Sequence, residues 1–234
     1  MKPVALIVGV GDGLSASVAR LLHGEGYSLI LSARNGDKLE ALASETGAQV
    51  IECNAADPAS VKSLFEQVSG RLEVMVYNPS ARVRGPLTEL DPEGVRNAIE
   101  VTAFGAFLAG QEATRIMLAQ DMKDGKRGTI LFTGASAGVK GFPQSATFAM
   151  GKFAQRGLSE SMSRELHPQG IHVAWVNIDG GIRNVSRQER VDGEDNPDSM
   201  LDPDEIARTY LHLINQNRSA WTNEIAVRPW VERF

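Results

Sequence analysis

Short, nearly continuous apolar runs recur along the chain: VALIVGV, SLILSA, QVIECN, EVMVYN, TILFTG, HVAWVNI and EIAVRPW. Most are rich in valine and isoleucine. Successive strand residues point to opposite faces, so a continuous apolar run is what a strand needs when both faces are covered. Between the runs, LSASVARLLHGEG, DKLEALASETG and PASVKSLFEQVSG have helical spacing and end at glycines, with Pro58 where a helix begins. Two longer helices are predicted, one over DPEGVRNAIEVTAFGAFLAGQEATRIMLAQD and one over about residues 145–166. This β-α rhythm predicts an α/β protein: a doubly wound, seven-stranded parallel sheet with helices on both faces. With no internal repeat or linker, one domain spans 1–234. The one long irregular segment, about 182–203, is polar and turn-rich, and is read as a substrate lid or a disordered loop.

Composition narrows the partners. A formal net charge of -5 argues against broad affinity for nucleic acid or anionic membranes and toward a small-molecule ligand. The opening MKPVALIVGVG runs straight into the first strand, and no apolar stretch approaches ~20 residues. A soluble, cytoplasmic protein with no membrane partner is expected. Cys53 is the only cysteine, which excludes an intrachain disulfide and a thiolate cluster, so no metal is expected and Cys53 is read as packing. His167 and His172 are likewise read as structural.

Candidate chemistry starts after the first strand, where Gly9, Gly11 and Gly13 precede a helix holding Val18, Leu21 and Leu22. Glycines there let the backbone turn tightly and approach a pyrophosphate, whose charge the helix amino terminus stabilises. The sequence therefore predicts a Rossmann fold with a dinucleotide site at Gly9, Gly11, Asp12, Gly13 and Leu14. The second strand ends in Ser32 and Arg34 rather than in an acid that would bind ribose hydroxyls. Arg34 can pair a 2'-phosphate through two donors, which favours NADP(H), with NAD(H) open if Arg34 is only a surface residue in a turn. Farther on, Lys152 follows Phe148 by one helical turn on one face, and a phenylalanine can neither give nor take a proton.

With the glycine turn, the long helix, the TILFTGASAG strand and the FAMGK helix in this order, the chain resembles the short-chain dehydrogenase/reductase family from end to end. The G-x-x-x-G-x-G turn is matched by Gly9 and Gly13, with Ser15 in place of the last glycine. The N-N-A-G segment appears as Tyr77-Asn78-Pro79-Ser80, the aspartate that contacts adenine as Asn54 followed by Ala55, and the Pro-Gly beside nicotinamide as Asp179-Gly180, with Ile182 meeting the carboxamide through its backbone. The resemblance implies four catalytic positions, Asn, Ser, Tyr and Lys, which fall on Thr102, Ala135, Phe148 and Lys152. Only the lysine is kept, and it also binds the nicotinamide ribose in the family. Ser136 replaces the serine only if a bulge or one-residue shift at Gly134 brings it in; Thr147 is read as packing.

Two functions follow from the resemblance. One is an NADP(H)-dependent oxidoreductase whose proton comes from water or substrate; the other is a non-catalytic dinucleotide-binding protein, a sensor or partner subunit. The resemblance also implies a homodimer or homotetramer built on the two long helices, with Phe104, Phe107, Leu108 and Met117 as the apolar surface. In the loop after Ile182, expected to close over the pocket, Arg183, Arg187 and Arg190 are read as solvated surface in preference to an anion site.

Overall fold

A computed structural model describes residues 2–232. The strands are β1 Val4–Val8, β2 Ser28–Ala33, β3 Gln49–Glu52, β4 Leu72–Tyr77, β5 Gly128–Thr133, β6 Ile171–Ile178 and β7 Glu224–Val227. They form one sheet in the order β3-β2-β1-β4-β5-β6-β7, with every neighbouring pair parallel. The helices are α1 Leu14–Gly24, α2 Glu40–Thr46, α3 Pro58–Glu66, α4 Pro92–Ile99, α5 Gly105–Ala119, α6 Ala146–Leu166 and α7 Pro203–Asn215.

Alternation along each strand divides the core in two. Ala5, Ile7, Leu29, Leu31, Val74, Val76, Leu131, Ala174 and Val176 face α1 and α7. Their neighbours Leu6, Ile30, Met75, Tyr77, Ile130, Phe132, Val173 and Trp175 face α3 and α5 on the other side. Helix starts are locally encoded: Asp57, Asp91 and Asp202 each cap a helix that has proline in its first turn. Among the described residues no helix is long and apolar enough to cross a membrane.

Away from the crevice the structure departs from the sequence expectations in three places. The first long helix is not uniform, because residues Glu100–Phe104 between α4 and α5 form a π-helical turn. Met117 is not surface: it is fully buried and packs against Gly128, whereas Phe104 and Phe107 are 43% and 41% exposed and stacked at 6.1 Å. Residues 182–203 are not structureless. Ile182 bridges Leu201, Gly193 bridges Asn196, and Arg183 reaches Asp192, Asp198 and Asp202. Arg183 is thus spent inside the loop and is not available to a ligand.

Candidate active site

The strand order reverses between β1 and β4, which opens a crevice at the carboxyl ends of the strands. Gly9 lies on its floor with φ +81, and a Cβ there would stand 2.6 Å from the Pro79 ring, so the turn admits only glycine. The turn is tied on every side. The Gly9 and Val10 N–H groups donate to the Ser32 carbonyl at 2.8 and 2.9 Å, and Asn78 Nδ2 donates to the Gly9 carbonyl at 3.0 Å. Gly11 N–H donates to Ser15 Oγ at 3.0 Å, so the serine that replaces the last glycine closes the loop. α1 then starts with no side-chain cap and no acid in its first turn. Uncapped N–H groups facing an open glycine backbone fit a pyrophosphate.

At the adenosine end Arg34 is exposed, and among the described residues no carboxylate lies within ion-pair distance of it. Ser32 differs from expectation: its side chain is fully buried, so it serves the turn through its carbonyl and presents no hydroxyl to a ligand. The sequence reading also missed an acid here. Glu52 lies beside Ala33 in the sheet, with Oε1 accepting from Gly36 N–H at 2.9 Å. Asn54 is exposed and Ala55 is buried, its carbonyl against Gly105, while Asp12 is at the exposed tip of the glycine turn. At the far end Gly180 has φ +156 and packs against Pro229. The bridge to Leu201 uses the Gly181 carbonyl and Arg183 N–H. It leaves the N–H and C=O of Ile182 without a backbone partner among the described residues. Asp179 is held by Arg228 Nε at 3.5 Å and Lys140 Nζ at 3.9 Å.

Lys152 and Phe148 do share a face of α6. Lys152 is 2% exposed, and its Nζ donates to the Thr133 carbonyl at 2.5 Å and to Gln155 Oε1 at 3.2 Å. Gln155 in turn accepts from Trp175 Nε1 and donates to the Thr102 carbonyl. The π turn explains this last contact: it loosens carbonyls from the helix ladder, and side chains take them up, Tyr77 Oη at Val101 and Gln155 at Thr102. Burial first, and then repulsion from Arg82, brings the Lys152 ammonium down to about 7.

Ser136 is not brought into the place of Ala135. The β5–β6 register is unbroken through Thr133 and continues as Gly134 N–H donating to the Val176 carbonyl, so no bulge shifts the chain. Ala135 stays extended, and Ser136 begins a short 3-10 turn. Thr147 is buried and binds both groups of Val83, accepting from its N–H at 3.0 Å and donating to its carbonyl at 2.9 Å.

Arg82 had no motif to announce it. Its guanidinium carbon lies 4.1 Å from the centroid of the Phe148 ring, and Lys152 Nζ lies 5.9 Å from the same centroid. Helical spacing is enough to place Gln155 beside Lys152, three positions on along one helix face. For Arg82 there was no such spacing, because nonlocal contacts through Thr102 and Thr147 set the path of its loop.

Known proteins share this fold. The profile of the family described as short chain dehydrogenase matches residues 3–192. The chain belongs to that family. An uncharacterized oxidoreductase of Staphylococcus aureus is 25% identical, with 97% of this chain and 96% of that protein covered. A short-chain dehydrogenase from Rhodopseudomonas palustris is 31% identical and superimposes with a TM-score of 0.81 over 97% of this chain and 99% of that one. A metagenomic short-chain oxidoreductase solved in complex with NADP, 24% identical, has the same fold with a TM-score of 0.83, covering 98% of each chain. The chain is thus of the short-chain dehydrogenase type of oxidoreductase, with the crevice at the carboxyl ends of the strands as the family's nucleotide-binding side.

Proposed function

We propose that the chain is an NADP(H)-dependent oxidoreductase that works without a tyrosine proton donor. The observation that carries this reading is the pair at α6, a buried lysine one turn from a phenylalanine, in a chain whose glycine turn is tightly formed at Gly9. In this reading Phe148, Ala135 and Thr102 stand where the family has Tyr, Ser and Asn, and Lys152 keeps its ribose-binding task. The glycine turn and the amino end of α1 would hold the pyrophosphate, Arg34 the 2'-phosphate, and Ile182 the carboxamide through its free backbone groups. When bound, the dinucleotide supplies or accepts hydride. The chain's own groups orient the acceptor and bury the site; none at 148 or 135 can deliver a proton. Losing a positioned general acid costs ~10²–10⁴ in rate, so the substrates are those activated enough to accept hydride first and take a proton from water afterwards.

Titration of cofactor fluorescence, followed by stopped-flow oxidation of bound NADPH across activated carbonyls and conjugated enones, tests both parts. The expected result is NADPH binding tighter than NADH, with turnover confined to the activated members. A second reading, a dinucleotide-binding sensor or partner subunit, is favoured by the engagement of Lys152 Nζ with Thr133 and Gln155. It predicts binding with no oxidation on any member.

A further inference from the structure

The loop after β4 carries Arg82 between two anchored residues. On one side Ala81 N–H donates to Thr102 Oγ1 at 3.0 Å, and on the other Val83 is held through both backbone groups by Thr147. Thr102 and Thr147 are 0% and 1% exposed, so the anchors are set in the core. The guanidinium between them lies over the Phe148 ring, its carbon 4.1 Å from the centroid. Arg190 approaches from the loop after β6. Its Nη1 lies 2.9 Å from where a Cβ would stand at Gly181, beside Met200 Sδ at 2.5 Å.

These cations lack internal partners. Among the described residues no carboxylate comes within ion-pair distance of Arg82, Arg84 or Arg190, whereas Arg183, Arg228 and Lys140 nearby all have one. They also feel one another: burial first, then Arg84 and Arg190, pull the Arg82 guanidinium below its ordinary value, and Arg82 in turn lowers Lys152. Holding several unpaired cations together is unfavourable unless an anion joins them.

We propose that the Arg82 guanidinium over the Phe148 ring is a binding site for the oxyanion of a small organic acid, with Arg190 from the loop after β6 and Arg84 adding positive charge. This rests on the reading of the crevice as an NADP(H) site and names the chemical class of what binds next to it. A planar carboxylate suits the guanidinium fork, which can donate two parallel hydrogen bonds; a phosphate monoester offers the same oxygens. The ring at 148 is the platform for the arginine.

The test is calorimetric titration of the NADPH-saturated protein with phenylglyoxylate, phenyl phosphate and the uncharged phenylglyoxylamide. Phenylglyoxylate is expected to bind at least ~10-fold more tightly than the amide, and phenyl phosphate tells whether tetrahedral oxyanions are also accepted. Arg82→Gln should weaken phenylglyoxylate about 10- to 100-fold, the range of a hydrogen bond to a charged group, and leave amide binding unchanged. Arg190→Gln should weaken it less, and Arg164→Gln, on the exposed part of α6, not at all. Arg82→Gln should still bind NADPH, so that the loss of acid binding is read on loaded protein. Equal binding of acid and amide, or an Arg82→Gln variant that holds the acid normally while binding NADPH, overturns the proposal. Failure of the parent to bind NADPH sinks the cofactor reading instead. The same titrations on the cofactor-free Arg34→Gln variant then decide the anion site by the same criteria.

Discussion

Replacing Lys152 by methionine isolates what the site costs the fold. Lys152 is 2% exposed, and burial, then Arg82, lower its pKa from 10.5 to about 7. Because the folded value lies below the unfolded one, the unfolded chain binds more protons between the two. Stability therefore rises with pH from about 7 to about 10.5, and the cost of the lysine is greatest below about 7. With ~1.4 kcal/mol per pH unit, the cost is about 4 kcal/mol at pH 7, where the folded lysine is half charged, and about 1.5 kcal/mol at pH 9.5. Methionine follows the same unbranched path without the charge. It forfeits the hydrogen bonds to Thr133 and Gln155, a loss of ~1–3 kcal/mol.

The variant should accordingly be more stable than the parent by ~1–3 kcal/mol at pH 7, which for a chain of this size raises Tm by several degrees. At pH 9.5 the advantage should vanish or reverse. Urea unfolding followed by tryptophan fluorescence and circular dichroism at both pH values measures this, with NADPH affinity of the variant expected to fall. A variant destabilised equally at pH 7 and 9.5 would refute the reasoning, because the ammonium would then be well solvated or well paired in the fold. In the proposed reading this cost is offset by the work of Lys152 at the cofactor ribose.

Other outcomes follow from the same geometry. Arg34→Gln should reduce NADPH affinity about 10-fold or more while leaving NADH unchanged, as read by cofactor fluorescence; equal effects on both would remove Arg34 from the phosphate. Phe148→Tyr with Ala135→Ser should speed reduction of activated diketones by at least ~10²-fold, and no gain on any carbonyl would show that the pocket itself, and not only the acid, has changed. The chain should be a homo-oligomer through the exposed faces of α5 and α6, with Phe104, Phe107, Met150 and Phe153 as its apolar surface. Light scattering should give a multiple of the monomer mass, and Phe104→Glu with Phe107→Glu should halve it or more.

The five central strands were legible because burial on both faces leaves a run of apolar residues, while β3 and β7 at the sheet edges are partly exposed; all seven runs became strands of one parallel sheet. The glycine turn was legible for a similar reason, since Gly9 is demanded by a local φ and a local contact. The π turn at 100–104 was hidden, because EVTAF reads as ordinary helix and the carbonyls it frees are claimed by Tyr77 and Gln155 from elsewhere in the fold. Met117 was misplaced because an apolar residue on a long helix does not say which stripe faces the sheet. Arg183 and Arg190 look alike in the sequence. Only the folded loop separates the one neutralised by Asp192, Asp198 and Asp202 from the one turned toward Gly181.

The chain carries a net charge of -5, yet Arg34, Arg82, Arg84, Arg190 and Lys152 all go without a carboxylate at ion-pair distance among the described residues. Acids are not scarce nearby: Asp179 is given to Arg228 and Lys140, and three aspartates to Arg183. The neighbouring acids thus go to Arg183, Arg228 and Lys140 and leave Arg82, Arg84 and Arg190 without one. In the proposed reading the dinucleotide phosphate answers Arg34, and an acid answers the group around Phe148. A tyrosine at 148 would work against that, because a phenol beside Arg82 and Lys152 is drawn toward its anionic form, and a phenolate would satisfy the very cations that the ligand is meant to meet. Phenylalanine keeps the flat face that seats Arg82 and contributes no charge of its own. In the proposed reading the ring without a hydroxyl and the positive charge around it serve one end, position 148 holding the arginine that holds the ligand.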